Sequence, residues 1–249
     1  MISKNQIKQI NSLKIKKNRQ DLQLFIAEGE KVVAELIQST FIVKQIFALK
    51  SWLDNNIKLL NPKVELYEVS ASELVKISNL STPNEVLAVV EIPKKTAIDK
   101  NTLQNKLVLV LDQIKDPGNF GTIIRIADWF GIENIICSED SVDTYNSKVV
   151  QATMGSLYRV NILYTNLIDF IESFESNYPI YGAVLGGENL YHQKLTKNGL
   201  IVLGNESKGI STDVLKLVSK KIEIPKFGNA ESLNVGIAAA IICSEFKRN

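Results

Sequence analysis

The 249-residue chain has little of the side-chain chemistry on which many catalytic sites depend, with one histidine and two cysteines. Cys137 and Cys243 lie far apart among apolar residues, and His192 lies in the polar stretch ENLYHQKLTKNG. We therefore expect both thiols to be buried and the imidazole to lie on the surface. No second thiol or histidine has the spacing of a metal site. Any chemistry is predicted to proceed without histidine, cysteine or a protein-bound metal.

Long apolar runs are also missing. No stretch approaches the roughly 20 apolar residues that a membrane-spanning helix needs, and the N-terminus lacks the apolar core of a secretory signal. The composition, 45% hydrophobic and 22% charged, is typical of a globular protein. The sequence thus predicts a cytoplasmic protein without a membrane segment.

Acidic residues are absent from the first 20 positions, although the net charge of the chain is only +2. The cations there are Lys4, Lys8, Lys14, Lys16, Lys17 and Arg19. They could form the solvated face of an N-terminal helix whose apolar side is Ile7, Ile10 and Leu13. They could equally form an arm that contacts phosphates, and the sequence alone does not separate the two interpretations.

The hydrophobic pattern divides the chain into two α/β halves. From LFIAEG to VLAVVEIP, short β-branched runs alternate with helical stretches such as EKVVAELIQS and ASELVKISN. Residues 93–106 lose the apolar period and gain charge, which predicts a linker. We therefore expect a small α/β domain over residues 1–95 and a second domain over residues 104–249.

The second half begins with KLVLVLD, a near-continuous apolar run typical of a strand buried in a parallel sheet. Further strands are predicted at NIICS, RVNILY, PIYGAV, GLIVLGN and KKIEIP, mostly separated by helical stretches. This pattern indicates a parallel sheet covered by helices on both faces. Because such sheets bind ligands at the carboxyl ends of their strands, a site is expected in the loops there.

Three of these loops are rich in glycine and polar residues, namely DPGNFGTIIR, LGNESKGIS and IPKFGNAESLNVGIAAA. The second has the glycine spacing of a P-loop, but Ile210 stands where that motif requires lysine, which disfavours a nucleoside triphosphatase. The first lacks the G-x-G-x-x-G dinucleotide pattern and follows a strand, unlike the GXXG loop of a KH domain. Each loop alone is weakly specific.

Arg125 follows the first of these loops, on a predicted helix that also carries Ile123, Ile124 and Trp129. An arginine placed among such apolar residues is expected to need an anionic partner, because an uncompensated buried charge is costly. The partner could be Asp128, one helical turn away, or an external anion.

The last helix, around VGIAAAIIC, is apolar around its full circumference and must be covered on every side. It could be a core helix of a monomer, or a second subunit could supply one of its walls. Gly236 and the alanines allow close approach of a backbone in either case.

In their order and spacing, the three loops resemble the motifs of the SpoU family of RNA ribose 2′-O-methyltransferases, in the SPOUT superfamily. Asn119-x-Gly121-x-x-x-Arg125 is similar to the first motif, LGNESKGIS to the second and IEIPKFGNAESLNVGIAAA to the third. SKVVQATMGSLYRV, between them, is also similar to a family stretch. The opening SKNQIKQINSLKIKKNRQDLQLFIAEGEKVVAEL resembles the ribosomal-protein-like substrate-binding domain that many members carry.

The resemblance implies an α/β fold with a small N-terminal substrate-binding domain and a C-terminal parallel-sheet methyltransferase domain with a trefoil knot. It also implies S-adenosylmethionine as the cofactor, and a homodimer formed through the C-terminal helix. The family's adenosyl-binding backbone corresponds to Leu203, Gly204, Ile224 and Leu233. Alternatively, the side chains of Leu203, Ile224 and Leu233 pack in the core. This alternative is compatible with binding of the adenosyl group by the backbone.

The catalytic positions implied by the resemblance are Asn119, Arg125, Glu206 and Asn234. Arg125 would face the RNA phosphate beside the target ribose, and its role as general base is left open because a guanidinium is a poor base. Alternatively, Glu206 is a surface carboxylate and Asn234 a first-turn residue bonding its own helix, with Ser232 as the N-cap.

The expected partner is RNA, ribosomal rather than transfer RNA because of the additional N-terminal domain, and no membrane. Two other functions stay open at this stage. One is an RNA-binding protein that keeps the fold without catalysis, and the other is a knotted methyltransferase that modifies a base.

Overall fold

The structure, a computed structural model, describes residues 2–94 and 99–248, so part of the predicted linker over residues 93–106 lies outside the described residues. The chain divides into two compact units. The first consists of Met1–Lys94 and Asp143–Arg159, and the second of Lys95–Val142 and Val160–Asn249. Residues 143–159 therefore belong with the N-terminal part of the chain, which the predicted domain limits do not include.

The first unit contains a mixed sheet whose strand order is β1-β4-β2-β3. Strand β4 is antiparallel to both β1 and β2, and β2 is parallel to β3. The apolar run in β4 is buried, as expected of a strand with neighbours on both sides. The strands are β1 (Leu24–Glu28), β2 (Val43–Ala48), β3 (Glu65–Glu68) and β4 (Val86–Glu91).

Helices of the first unit include the two that the sequence predicts after β1 and β3. Capping boxes at Ser3 and Ser70, each with a Gln or Glu three residues later, fix the starts of two helices. The helices are α1 (Lys4–Ser12), α2 (Lys16–Leu22), α3 (Glu30–Ile37), α4 (Lys50–Asn56), α5 (Ala71–Ile77) and α7 (Ser147–Thr153). Helix α7 packs against β1.

The second unit contains a parallel sheet with the strand order β10-β8-β9-β5-β6-β7. All six runs predicted as strands in this half are strands, and the predicted parallel sheet is confirmed. They are β5 (Leu107–Leu111), β6 (Asn134–Cys137), β7 (Asn161–Tyr164), β8 (Ile180–Asn189), β9 (Gly199–Leu203) and β10 (Lys220–Glu223). The helices are α6 (Pro117–Trp129), α8 (Leu167–Glu172), α9 (Thr212–Lys216) and α10 (Val235–Arg248).

The strand order brings the three glycine loops to one edge of this sheet. Strand β9 lies beside β5, and β8 lies between β9 and β10. Because all of these strands are parallel, the loops that follow β5, β9 and β10 meet at their carboxyl ends, where a ligand is expected.

Both cysteines are buried, as predicted, and burial raises the pKa of the Cys243 thiol to about 12. His192 is exposed at the end of a single 3₁₀ turn, Leu190–His192, which confirms its surface position. Among the described residues, no helix is long and apolar enough to cross a membrane.

Candidate active site

Helix α6 begins a few residues after β5, and its first turn fixes the position of Asn119. The Asp116 carboxylate caps the helix, because its Oδ1 accepts the backbone N–H of Asn119 at 2.7 Å. Pro117 occupies the first helical turn, where the absence of an N–H costs nothing. The half-buried Asn119 side chain is thereby presented at the carboxyl edge of the sheet.

A chain of side-chain hydrogen bonds connects the three glycine loops. Asn234 Nδ2 donates to Asn119 Oδ1 at 2.8 Å, and Asn119 Nδ2 donates to Glu206 Oε1 at 3.0 Å. The bonded residues are 115 and 87 positions apart in the sequence. Three of the four predicted catalytic positions are therefore in direct contact.

The direction of this chain is set by helix α10. Asn234 Oδ1 accepts the backbone N–H groups of Gly236 at 2.9 Å and Ile237 at 3.2 Å, so its Nδ2 must be the atom that faces Asn119. Because Asn119 Oδ1 accepts from Asn234, the Nδ2 of Asn119 is the atom that donates to Glu206. Both amides thus have one favourable orientation, and the carboxylate stands at the accepting end.

Asn234 itself is the N-cap of α10, and Ser232 is not, so the expected cap at Ser232 is wrong. The two interpretations of Asn234 hold together. Its oxygen satisfies the first N–H groups of its own helix, while its nitrogen holds Asn119.

The second loop is a tight turn that carries Glu206 near its tip. The backbones of Asn205 and Gly209 exchange two hydrogen bonds of 2.9 Å, and Asn205 Nδ2 donates to the carbonyl of Gln113 at 2.8 Å. A Cβ on Gly204 would lie 2.2 Å from the carbonyl carbon of Gly209, so only glycine allows the turn to close. Glu206 projects from this turn as an exposed carboxylate.

Arg125 is exposed, and the expectation that it is buried among apolar residues is wrong. Ile123 and Ile124 point into the core, whereas Arg125 lies on the solvent face of α6 together with Trp129, which is 84% exposed. Within the described parts of the chain, the guanidinium makes no hydrogen bond or ion pair, so the alternative of a bridge from Arg125 to Asp128 is absent. The exposed positions on this face are Gly118, Thr122, Arg125 and Trp129, at the spacing of one helical stripe.

The predicted cofactor positions lie at the ends of β9 and β10 and just before α10. Leu203 is buried, and its carbonyl accepts the N–H of Asp112 at 2.9 Å, which supports core packing at this position. The backbone groups of Gly204, Ile224 and Leu233 have no hydrogen bond within the described ranges 2–94 and 99–248. Free backbone donors and acceptors at such an edge fit a ligand held by main-chain contacts, as expected for the adenosyl group.

A bulge within β8 at this edge was not predicted from the sequence. Pairing of β8 with β10 shifts register, so that residues 183–187 of β8 have no partner in β10. In this bulge Gly186 has a φ of +74°, and its N–H donates to Glu223 Oε2 at 3.0 Å. A Cβ on Gly187 would lie 2.8 Å from the carbonyl carbon of Ile222. The pair Gly186-Gly187, one residue after the predicted strand PIYGAV, was the signal available in the sequence.

Arg19 of the N-terminal basic segment is not a surface residue. Its side chain is 4% exposed, pairs with Asp143 at 2.5 Å and donates to the carbonyls of Leu13 at 2.8 Å and Lys14 at 3.0 Å. Including Arg19 in a phosphate-contacting arm is therefore wrong. The five lysines are exposed, and Ile10 and Leu13 are buried, which is the geometry of a solvated helix face.

Solved structures share this fold over the whole chain. A protein from Porphyromonas gingivalis, described as a TrmH-family RNA methyltransferase, has a TM-score of 0.89 at 36% identity, covering 100% of this chain and 99% of that one. The SpoU methyltransferase AviRb from Streptomyces viridochromogenes, in complex with AdoMet, has a TM-score of 0.85 at 25% identity, covering 99% and 98%.

A curated relative is similar over its full length as well. The 23S rRNA (guanosine(2553)-2′-O)-methyltransferase RlmP of Bacillus subtilis is 28% identical over 244 residues, which is 96% of this chain and 95% of that protein. Residues 4–88 match the MRM3-like substrate binding domain, and residues 106–244 match the SpoU rRNA Methylase family. The chain belongs to the SpoU rRNA methylase family.

Proposed function

We propose that this protein transfers a methyl group from S-adenosylmethionine to a ribose 2′-hydroxyl of ribosomal RNA. The observation that carries the proposal is the hydrogen-bond chain from Asn234 through Asn119 to Glu206, which joins the three family motifs at one edge of the sheet. The relatives named as 23S rRNA 2′-O-methyltransferases support the substrate class. Neighbouring structures that contain AdoMet support the cofactor.

Each residue of the site has a proposed task. S-adenosylmethionine, when bound, supplies an electrophilic methyl group, and the backbone at Leu203, Gly204, Ile224 and Leu233 would hold its adenosyl part. Arg125 is free to bind the phosphate beside the target ribose, because its guanidinium has no partner within residues 2–94 and 99–248. Holding the phosphate and the donor in line supplies most of the rate by alignment.

The hydroxyl proton must leave as the new carbon–oxygen bond forms. A guanidinium keeps its proton at physiological pH, so the exposed Arg125 is a poor proton acceptor. We therefore assign Arg125 to phosphate binding. Asn119, Glu206 and Asn234 are assigned to shaping the pocket beside it.

Methyl transfer to RNA tests this proposal against its two alternatives. Purified protein is incubated with donor labelled on the methyl group and with ribosomal RNA, which is then digested to nucleosides. We expect the label on a 2′-O-methylated ribose. Label on a base would favour a knotted base methyltransferase, and RNA binding without any transfer would favour a protein that keeps the fold without catalysis.

A homodimer formed through α10 is the second part of the proposal. In a single chain Ala239 is fully buried, whereas Ile237 on the other face of α10 is 54% exposed. Trp129 on α6, the helix that packs against α10, is also exposed. Exposed apolar residues on packed helices are typical of an interface between copies of a chain.

The buried position of Ala239 decides which substitution tests the dimer. A charge at Ala239 would disrupt the core of a single chain, so it does not report on association. Ile237→Glu should instead give a monomer with nearly unchanged unfolding, measured by sedimentation velocity and thermal melting. Sedimentation of the wild type as a monomer at micromolar concentration would overturn the dimer. The trefoil knot implied by the resemblance and the cytoplasmic location predicted from the sequence remain part of this proposal.

A further inference from the structure

A cavity of about 260 Å³ lies in the first unit, and none of the residues assigned to methyl transfer lines it. Its apolar lining consists of Ile26, Leu80 and Ala152. Its volume is smaller than the roughly 300–1,000 Å³ of pockets for drug-sized ligands, so it suits a flat group the size of one nucleobase.

One wall of the cavity is the polar face of α7. Ser147, Lys148 and Gln151 line it. Their side chains make no hydrogen bond or ion pair with any residue in the described ranges. These positions therefore offer a hydroxyl, a cation and an amide that are all free to meet a ligand.

The lining of the cavity also includes an acceptor. The carboxylate of Glu28, which is 6% exposed, accepts the Ser78 hydroxyl at 2.5 Å and the backbone N–H and Nδ2 of Asn79 at 2.9 Å each. No cation pairs with it among the described residues. A carboxylate has about four lone-pair sites, so one remains for a further donor.

We propose that this cavity binds one unpaired nucleotide of the RNA substrate, at a position other than the methylated ribose. The base lies against the apolar side chains of Ile26, Leu80 and Ala152. At the edge of the base, Glu28 accepts a hydrogen bond and Gln151 donates or accepts one. Lys148 binds the adjoining phosphate. Since Glu28 only accepts, a base whose pairing edge carries an amino group, such as guanine or cytosine, is favoured over uracil, whose single imino donor lies between two carbonyl oxygens. The inference rests on the proposed function in that it takes RNA as the substrate.

Three substitutions separate the parts of this site. Lys148→Ala removes the proposed phosphate contact and should lower the slope of log K against log salt by about 0.7, the value for one contact with a single strand. Gln151→Ala removes a base contact, and Ala152→Leu fills the cavity. Each of the latter two should weaken RNA binding about tenfold at fixed salt and leave the slope unchanged.

Matched controls come from the same unit. Lys76 and Gln38 are exposed and make no side-chain hydrogen bond with a described residue, so Lys76→Ala and Gln38→Ala should leave RNA binding unchanged. Affinities are measured with a large-subunit ribosomal RNA transcript. Short single-stranded oligonucleotides containing guanine, cytosine or uracil give the base preference, which Ala152→Leu should abolish because it fills the cavity. Melting temperatures show that each variant is folded.

The result that overturns the cavity site is a wild-type salt slope in folded Lys148→Ala, wild-type affinity in folded Gln151→Ala and a wild-type base preference in folded Ala152→Leu. Equal losses in the two control variants would overturn it as well. Methylation by the wild type is measured separately on the same transcript. Its absence would refute the proposed function alone, whereas intact methylation with unchanged RNA affinity in the variants would refute only the cavity.

Discussion

Arg19 in the first unit and Arg125 in the second have opposite surroundings. The Arg19 guanidinium is enclosed, with bonds to the Asp143 carboxylate and to two backbone carbonyls. The Arg125 guanidinium lies on the solvent face of α6 and has no partner within the parts of the chain that the structure describes. One arginine has its donors satisfied by the fold, and the other keeps them available.

The difference shows how to separate a structural cation from a binding one. A buried guanidinium with a carboxylate and carbonyl partners contributes to stability, and its removal leaves an unpaired buried charge. An exposed guanidinium without partners contributes little to stability, and all its donors are available to an external anion. We therefore expect substitutions at the two positions to affect different measurements.

The largest effect is expected for Arg125→Ala. Loss of the phosphate contact should reduce methyl transfer by about 10² or more, comparable with removing one donor from a preorganised anion site. Donor affinity, measured by titration calorimetry, and the free energy of unfolding should stay close to wild type. Arg125→Lys should not restore activity if a planar, forked cation is required. An equal loss of donor binding in a folded variant would contradict the assignment to RNA phosphate.

Arg19→Ala should produce the reverse result. Breaking the buried pair with Asp143 should lower the free energy of unfolding by about 3 kcal/mol. Chemical denaturation of Arg19→Ala, Asp143→Ala and the double variant should show a coupling between the two residues. At a temperature where the Arg19→Ala protein is folded, its methyl transfer should be near wild type. A stable but inactive Arg19→Ala protein would return this residue to the RNA-contacting arm.

Asn234→Asp should have a smaller effect and tests the orientation of the hydrogen-bond chain. Aspartate still caps α10, so stability should change little, but it cannot donate to Asn119. The Asn119 amide then tends to reverse, and it loses its bond to Glu206. We expect about a tenfold loss of methyl transfer, whereas Asn234→Ala should lose about 1 kcal/mol of stability as well. Wild-type activity in Asn234→Asp would show that the chain of amides is only structural.

The sequence predicts the sheet of the second unit well because its strands are short, near-continuous apolar runs. The extension of β8 to Asn189 was missed, since its outer part pairs with β10 only beyond the bulge at residues 183–187. The place of residues 143–159 was missed too. Their packing depends on contacts such as the one between the rings of Phe25 and Tyr145, whose centroids are 4.7 Å apart, and no local periodicity records such a contact.

The site shows the same limit at the scale of single side chains. Motif spacing predicts that Asn119, Glu206 and Asn234 belong to one site, but not which atom faces which. The directions follow from the start of α10, where two N–H groups fix the amide of Asn234. The burial of Arg19 depends on Asp143, which is 124 positions away. The sequence of the basic segment alone does not distinguish Arg19 from its lysine neighbours, because its partner Asp143 is distant in sequence.

The smallest effect is expected from those neighbours, because exposed lysines contribute mainly through counterion release. Replacing Lys14, Lys16 and Lys17 by glutamine, with Arg19 kept, should leave folding and donor affinity unchanged. If each lysine meets a phosphate, the slope of log K against log salt for RNA binding should fall by about 2 in total, roughly 0.7 for each contact. Lys31→Gln, an exposed lysine of α3 in the same unit, is the control. An unchanged slope would assign the segment to the solvated face of a helix and leave Arg125 and the cavity beside α7 to bind the RNA.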